Sequence, residues 1–233
     1  MTRIRIGSFS ILALLIVTSG WLFRNSLPYF SLGDTVPFLI EKGTLAFEPW
    51  WKTFFVAHVA GGIASLLVGP LLIWNLLLLR SRLAHIWIGR AYVTFVLAWG
   101  APAGLVLSMT AKGGFAGQSG FFLLGVLWWG TTFLGLRAVR ARRLVTHVGW
   151  MVRSYSIATS ALSFRLFHLA FYLGGVSDRT NYVTSIWLSL VTSIVLGEFF
   201  AARSSRILVH SGPRISRSGS NNDPALFGKG VVS

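Results

Sequence analysis

The sequence predicts an all-α fold, a polytopic transmembrane helical bundle of about six spans, and three observations predict it. Of 233 residues, 54% are apolar and only 12% are charged, about half the charged share of a soluble globular domain. That leaves too little polar surface to cover a globule of this size in water. Mean hydropathy is +0.67, and the apolar residues cluster into stretches close to the ~20 residues a helix needs to cross hydrocarbon. The third observation is the charge, 21 Lys and Arg against 6 Asp and Glu, net +15. Such an excess ordinarily suggests nucleic acid, but 10 Trp and 18 Phe in so apolar a chain argue against a soluble nucleic-acid binder. With no cysteine, the chain has no disulfide framework, thiolate nucleophile or iron–sulfur ligand of its own.

Six segments are expected to span: Gly7–Phe23, Thr53–Leu79, Gly89–Met109, Ser119–Leu136, Val148–Leu173 and Tyr182–Ala202. The first follows Arg3 and Arg5 like a signal peptide. Bulky Trp21, Leu22 and Phe23 stand where small residues would mark cleavage, so it reads as an uncleaved signal-anchor. Orientation follows from Lys and Arg. With the N-terminus inside, the inner segments hold fourteen: Arg3, Arg5, Arg80, Arg82, Arg90, Arg137, Arg140, Arg142, Arg143, Arg203, Arg206, Arg214, Arg217 and Lys229. The outer segments hold five: Arg24, Lys42, Lys52, Lys112 and Arg179. This bias predicts both termini in the cytoplasm, as a multi-pass protein of the cell (inner) membrane.

Three regions result. Residues 1–52 form the signal-anchor and an outer loop containing Pro28, Pro37 and Pro49, which has room for a short amphipathic helix or a lid. Residues 53–202 form the bundle. Residues 203–233, rich in Ser, Gly, Asn and Arg, read as a disordered basic cytoplasmic tail. Small residues on the second span (Gly61, Gly62, Ser65, Gly69) and third (Gly100, Ala101, Gly104, Ser108) mark close helix contacts. Pro70 and Pro102 are expected kinks. Gly113–Gly120 follows no strand and lacks the Lys-Ser/Thr of a phosphate loop, so it reads as an outer turn.

Two inner junctions resemble each other: Arg82–Tyr92 (RLAHIWIGRAY) and Arg143–Tyr155 (RLVTHVGWMVRSY). Each runs Arg-Leu, His, then Arg-x-Tyr, but the His-to-Arg spacing is five residues in one and six in the other. A parallel duplication of spans two–three and four–five and convergence on basic, aromatic interface composition both account for the pattern.

Ionisable residues at membrane depth are functional candidates by default. Arg153 and Glu198 lie at similar depth near the inner ends of their spans, where they are able to pair, as a structural clamp or as part of a site. Arg165 lies twelve residues beyond Arg153, about 18 Å along a helix, with no carboxylate at its depth. Its partner is backbone, Tyr, water or an anionic ligand. His58 and His168 fall in the outer third of their spans, His85 and His147 at the inner boundary. Two His pairs at opposite faces match a transmembrane di-haem b arrangement. Against this, His85 and His147 sit among interface arginines where histidine needs no ligand. His147 and His168 would also lie about 31 Å apart in an unbroken helix. A transition-metal site is not expected, because no carboxylate accompanies the histidines at close helical spacing.

Ordered motifs then carry a resemblance: HVAGGIASLLVGP from His58 to Pro70, HIWIGRAYV from His85 to Val93, and HVGWMVRSY from His147 to Tyr155, with Arg165-Leu166 and Gly197-Glu198. Over about residues 53–203 the chain resembles the domain-of-unknown-function 2306 family of predicted bacterial membrane proteins. The resemblance implies a bundle of four to six helices and no established activity. Its characteristic polar residues would be His58, His85, Arg90, His147, Arg153, Tyr155, Arg165 and Glu198. His168 lies outside that set, which counts against the di-haem reading. Catalytic residues are not assignable. Three readings of the buried His/Arg site remain: binding of a redox cofactor (haem b or quinone), a carrier for a small anionic solute, and a non-catalytic assembly subunit.

Overall fold

The computed structural model describes residues 2–31, 37–75 and 81–211. No strand occurs among them. The helices are α1 (Thr2–Ser26), α2 (Pro28–Ser31), α3 (Pro37–Lys42), α4 (Pro49–Trp74), α5 (Arg82–Thr94), α6 (Ala101–Ser108), α7 (Phe115–Arg140), α8 (Leu144–Ala158), α9 (Ser160–Leu173) and α10 (Asp178–Ser211). A 3₁₀ turn, Gly43–Phe47, leads into α4, and a π-helical turn, Phe95–Gly100, joins α5 to α6. The chain is thus an all-α polytopic bundle. Among the described residues, five helical stretches are long and apolar enough to cross a membrane: Phe9–Phe30, Pro49–Trp74, Arg82–Ser108, Phe115–Arg140 and Asp178–Arg206.

The remaining expected span, 148–173, is divided rather than continuous. α8 ends at Ala158 and α9 begins at Ser160, so neither piece spans alone and the unbroken-helix distance between His147 and His168 does not apply. Ser156, Thr159, Ser160 and Ser163 crowd this point. The Thr159 hydroxyl bonds the Ser156 carbonyl at 2.7 Å, and the Leu162 amide bonds the Thr159 carbonyl at 2.9 Å, a 3₁₀ pairing. Hydroxyls that bond back onto the helix bend it.

The third span is interrupted at the matching place by different chemistry. Pro102 has no N–H to offer the Ala98 carbonyl, and the Ala101 amide reaches back five residues to Val96. The Leu97 carbonyl, released from its α-helical partner, is taken by the Trp129 indole N–H at 3.3 Å. Pro70 behaves otherwise and lies inside α4 without ending it.

α8 sits between α7 and α10, while α4 packs on α1, α5, the π turn and α6. The core runs through Leu22, Leu66, Tyr92, Val96, Trp128 and Ile157. One face of α10 is small and polar at every fourth residue: Asn181, Ser185, Ser189, Ser193 and Gly197, each buried, which lets α10 approach closely. α10 also continues to Ser211, past residue 203 where the tail was expected to start. Residues 203–211 contain neither Gly nor Pro, and Gly212-Pro213 supplies the first stop signal. The rest of the expected tail, 212–233, lies outside the described residues.

The two ends of the bundle differ. One carries Arg82, Arg90, Arg137, Arg140, Arg142, Arg143, Arg203 and Arg206 and is called the basic end below. At the other, α2, α3 and the 3₁₀ turn fold into a cap. Tyr29, Phe38, Trp51 and Phe55 form a ring cluster with neighbouring centroids 5.0–6.3 Å apart. Lys42 Nζ donates to the Thr110 carbonyl at 2.7 Å and the Trp51 indole to the Thr110 hydroxyl at 3.2 Å. Lys112 pairs with Glu41 at 3.2 Å and with Asp178, so one ammonium ties the cap to the start of α10. That hydrogen bond to Asp178 holds the Lys112 pKa above its ordinary value, with Glu41 adding to it. Burial instead lowers the Lys42 pKa.

Candidate functional site

Below the cap, α4 presents His58. Its Nδ1 lies 2.7 Å from the Gly100 carbonyl; a carbonyl only accepts, so Nδ1 carries the proton and Nε2 faces elsewhere. Three glycines make this possible. A Cβ on Gly61 would lie 2.6 Å from the Gly100 amide nitrogen, one on Gly100 2.9 Å from the Trp128 ring, and one on Gly104 2.8 Å from the imidazole. The backbones of α4 and the π turn touch, and the ring lies where a side chain at 104 would be.

Arg165 approaches the same place from α9. Its Nη1 donates to the Ala161 carbonyl at 2.8 Å, it interacts with the Tyr29 hydroxyl of the cap, and it lies within electrostatic reach of His58. Among the described residues it has no ion-pair partner. Tyr29 lies in α2, and nothing local in the sequence marked it for the site.

His168, one turn beyond Arg165, is occupied differently. Its ring stacks on Phe164 (5.7 Å, 9°) and meets Tyr182 edge-on at 6.1 Å. Its carbonyl accepts from Asn181 at 3.0 Å, and its Nδ1 is buried without a hydrogen-bond partner among the described residues. No group of three or more His, Asp or Glu side chains converges as a metal site among the described residues.

Midway along the bundle runs a chain of hydroxyls that sequence reading missed. The Tyr92 hydroxyl lies 2.9 Å from Ser154 Oγ, which lies 2.6 Å from Thr132 Oγ1, and that hydroxyl donates to the Trp128 carbonyl at 2.7 Å. Tyr92, Ser154 and Thr132 are all buried. Tyr155 lies beside them, its ring 6.5 Å from Tyr92 and its hydroxyl donating to the Leu66 carbonyl at 3.3 Å. Tyr155 occupies the space over Gly69, where a Cβ would fall on the ring.

At the basic end His85 and His147 are close enough for their charges to interact, and His147 Nδ1 donates to the Gly135 carbonyl at 2.9 Å. Arg90 lies over the Trp87 ring and Arg153 over the Trp150 ring, each 4.9 Å from the centroid. Arg153 and Glu198 do pair: Nε and Nη2 each reach a carboxylate oxygen at 2.7 Å. This pair is the planar fork that guanidinium and carboxylate make, with Arg153 half-buried and Glu198 exposed.

These contacts sharpen the junction repeat. Trp87-x2-Arg90-x-Tyr92 and Trp150-x2-Arg153-x-Tyr155 have identical spacing, so the one-residue mismatch falls between His and Trp. In both copies the helix departs from α-helical pairing within four residues beyond Tyr, at the π turn that begins at Phe95 and at Thr159. The signal was in the sequence, in the tryptophans.

A family model described as a predicted membrane protein (DUF2306) matches residues 55–201, well over half of the chain. The chain belongs to this family. The match takes in His58, Arg165, His168, the hydroxyl chain and the His85, His147, Arg153 and Glu198 cluster, and leaves out Tyr29 of the cap. No curated protein and no solved structure matches the chain. This DUF2306 chain is therefore a multi-pass membrane protein that meets the lipid bilayer through its apolar helices.

Proposed function

We propose that the protein binds a small ligand with an anionic group below the cap, Arg165 supplying the counter-charge and His58 a hydrogen bond. The observation that carries this reading is Arg165 itself, a half-buried guanidinium inside the bundle whose partners are a carbonyl and a tyrosine. A cation in a low-dielectric interior is costly unless paired, and an anion would relieve that cost. His58 complements it, because a neutral ring with Nδ1 committed to Gly100 leaves Nε2 as an acceptor for a ligand hydroxyl. The cap suits a site reached from the outer face of the cell membrane, with the basic end in the cytoplasm.

The test is thermal melting of the purified full-length protein with phosphate, sulfate, succinate or benzoate. Binding at a hundredfold excess over Kd stabilises a fold by about 2.7 kcal/mol. At least one anion is expected to raise the wild-type melting temperature, and Arg165→Gln should remove that shift while keeping the ligand-free melt. No shift with any anion, or the same shift in the variant, refutes the reading. Uptake of the stabilising anion into proteoliposomes then separates a carrier from a receptor.

A second reading, haem b between His85 and His147, is favoured by one contact. His147 donates Nδ1–H to a backbone carbonyl, as metal-bound histidines do, which leaves Nε2 for the iron. A Soret band after haem-replete expression, lost in His147→Ala, supports it; no band excludes it.

A further inference from the structure

Between α7, α8 and α10 at the basic end lies a cleft of about 160 Å³ that the anion site does not use. We propose that it seats the headgroup of a zwitterionic phospholipid, the phosphate on Arg153 and the primary ammonium on Glu198. Its inner lining is buried: Thr131 and Ser193 bring hydroxyls, and Ile157 is apolar. Its mouth is exposed and holds Arg153 and Glu198, with Ile194 beside them. α7 and α10 are both long enough to span, so the mouth opens toward lipid near the headgroup layer, where Trp150 is also at home.

Size and charge narrow the occupant. An apolar cavity of about 150 Å³ accepts a benzene-sized guest, and drug-sized ligands need about 300 Å³ or more. The cleft therefore holds a headgroup-sized moiety whose acyl chains stay in the bilayer. Arg153 gives Nε and Nη2 to Glu198; Nη1 lies outside that pair, above Gly149, 3.4 Å from where a Cβ would stand. A lone anion arriving at Nη1 meets Glu198, and a lone cation arriving at Glu198 meets Arg153. A molecule carrying both charges a few bonds apart satisfies both. Ethanolamine fits better than choline, because its ammonium donates hydrogen bonds to the carboxylate. The Trp150 face that would attract a quaternary amine is already covered by Arg153.

The experiment is native mass spectrometry of the full-length protein, delipidated and offered phosphatidylethanolamine, phosphatidylglycerol, phosphatidylcholine or free phosphoethanolamine. Wild type should retain phosphatidylethanolamine at least about tenfold over either other lipid. Glu198→Gln should erase that preference. Ile194→Trp fills the mouth from the lipid side and leaves the ion pair intact, so it should cut retention about tenfold with unchanged melting. Equal retention of the three lipids, an unaffected Ile194→Trp variant, or free phosphoethanolamine binding as well as the lipid overturns the proposal. Arg165→Gln should leave lipid retention untouched, so this site and the anion site fail independently.

Discussion

At the capped end, Arg165 is half-buried with a carbonyl and Tyr29 around it, while His58 is held by a hydrogen bond and three glycines. At the basic end, Arg153 is matched to Glu198 in an exposed cleft and Arg90 lies open on Trp87. The same residue types thus do different work. Where charge is enclosed and meets no carboxylate among the described residues, the proposed ligand is an anion. Where it is matched and reaches the surface of the bundle, the proposed occupant is a headgroup that carries both charges. The dielectric around the guanidinium separates the cases, since an unpaired charge matters most where water is excluded.

Substitutions break or sharpen this contrast, the largest first. Gly61→Ala places a methyl 2.6 Å from backbone that has no side chain to move aside. It should separate α4 from the π turn and cost about 3 kcal/mol, the upper end for overpacking, seen as a large fall in melting temperature. Ser154→Ala strands the buried Tyr92 hydroxyl between the two ends, so a loss of about 1–3 kcal/mol is expected; an unchanged melt would show that another partner takes over. Gly104→Ala pushes the His58 ring aside without touching Arg165, and should weaken anion binding about tenfold, ~1.4 kcal/mol. Unchanged affinity there would remove His58 from the site.

The smallest effect belongs to the cap. Lys112→Gln releases Glu41 and Asp178, exposed partners of the kind that contribute below about 1 kcal/mol. Faster hydrogen exchange at residues 37–47 is the sensitive measurement. The pH dependence has a definite sign. The raised Lys112 pKa means the latch is fully present below the ordinary lysine pKa of about 10.4 and weakens only as pH rises through the folded value. Cap exchange in the wild type should therefore gain no contribution from this lysine between pH 6 and pH 9.

The family motifs made several site residues legible in advance, because a charged or imidazole side chain within an apolar stretch stands out by contrast. His58, Arg165 and the depth match of Arg153 with Glu198 belong to this class. Tyr29 was not legible: it reaches Arg165 only because the cap folds back over the helix ends. Thr132 and Ser154 were not legible either. A hydroxyl in a span is tolerated by bonding its own helix, so its presence says nothing of a partner twenty-two residues away. The serine stripe of α10 was available as a four-residue period but was masked by the apolar residues between.

Composition and periodicity alone determined that this chain is an all-α multi-pass membrane protein. Apolar stretches of spanning length have one stable solution in hydrocarbon, which requires every backbone group to be paired within the segment. Only tertiary structure decided where the helices break, which glycines touch, and that Arg153 finds Glu198 while Arg165 finds no carboxylate among the described residues. Those outcomes depend on which faces meet, and a one-dimensional pattern records what each residue is, not what stands across from it.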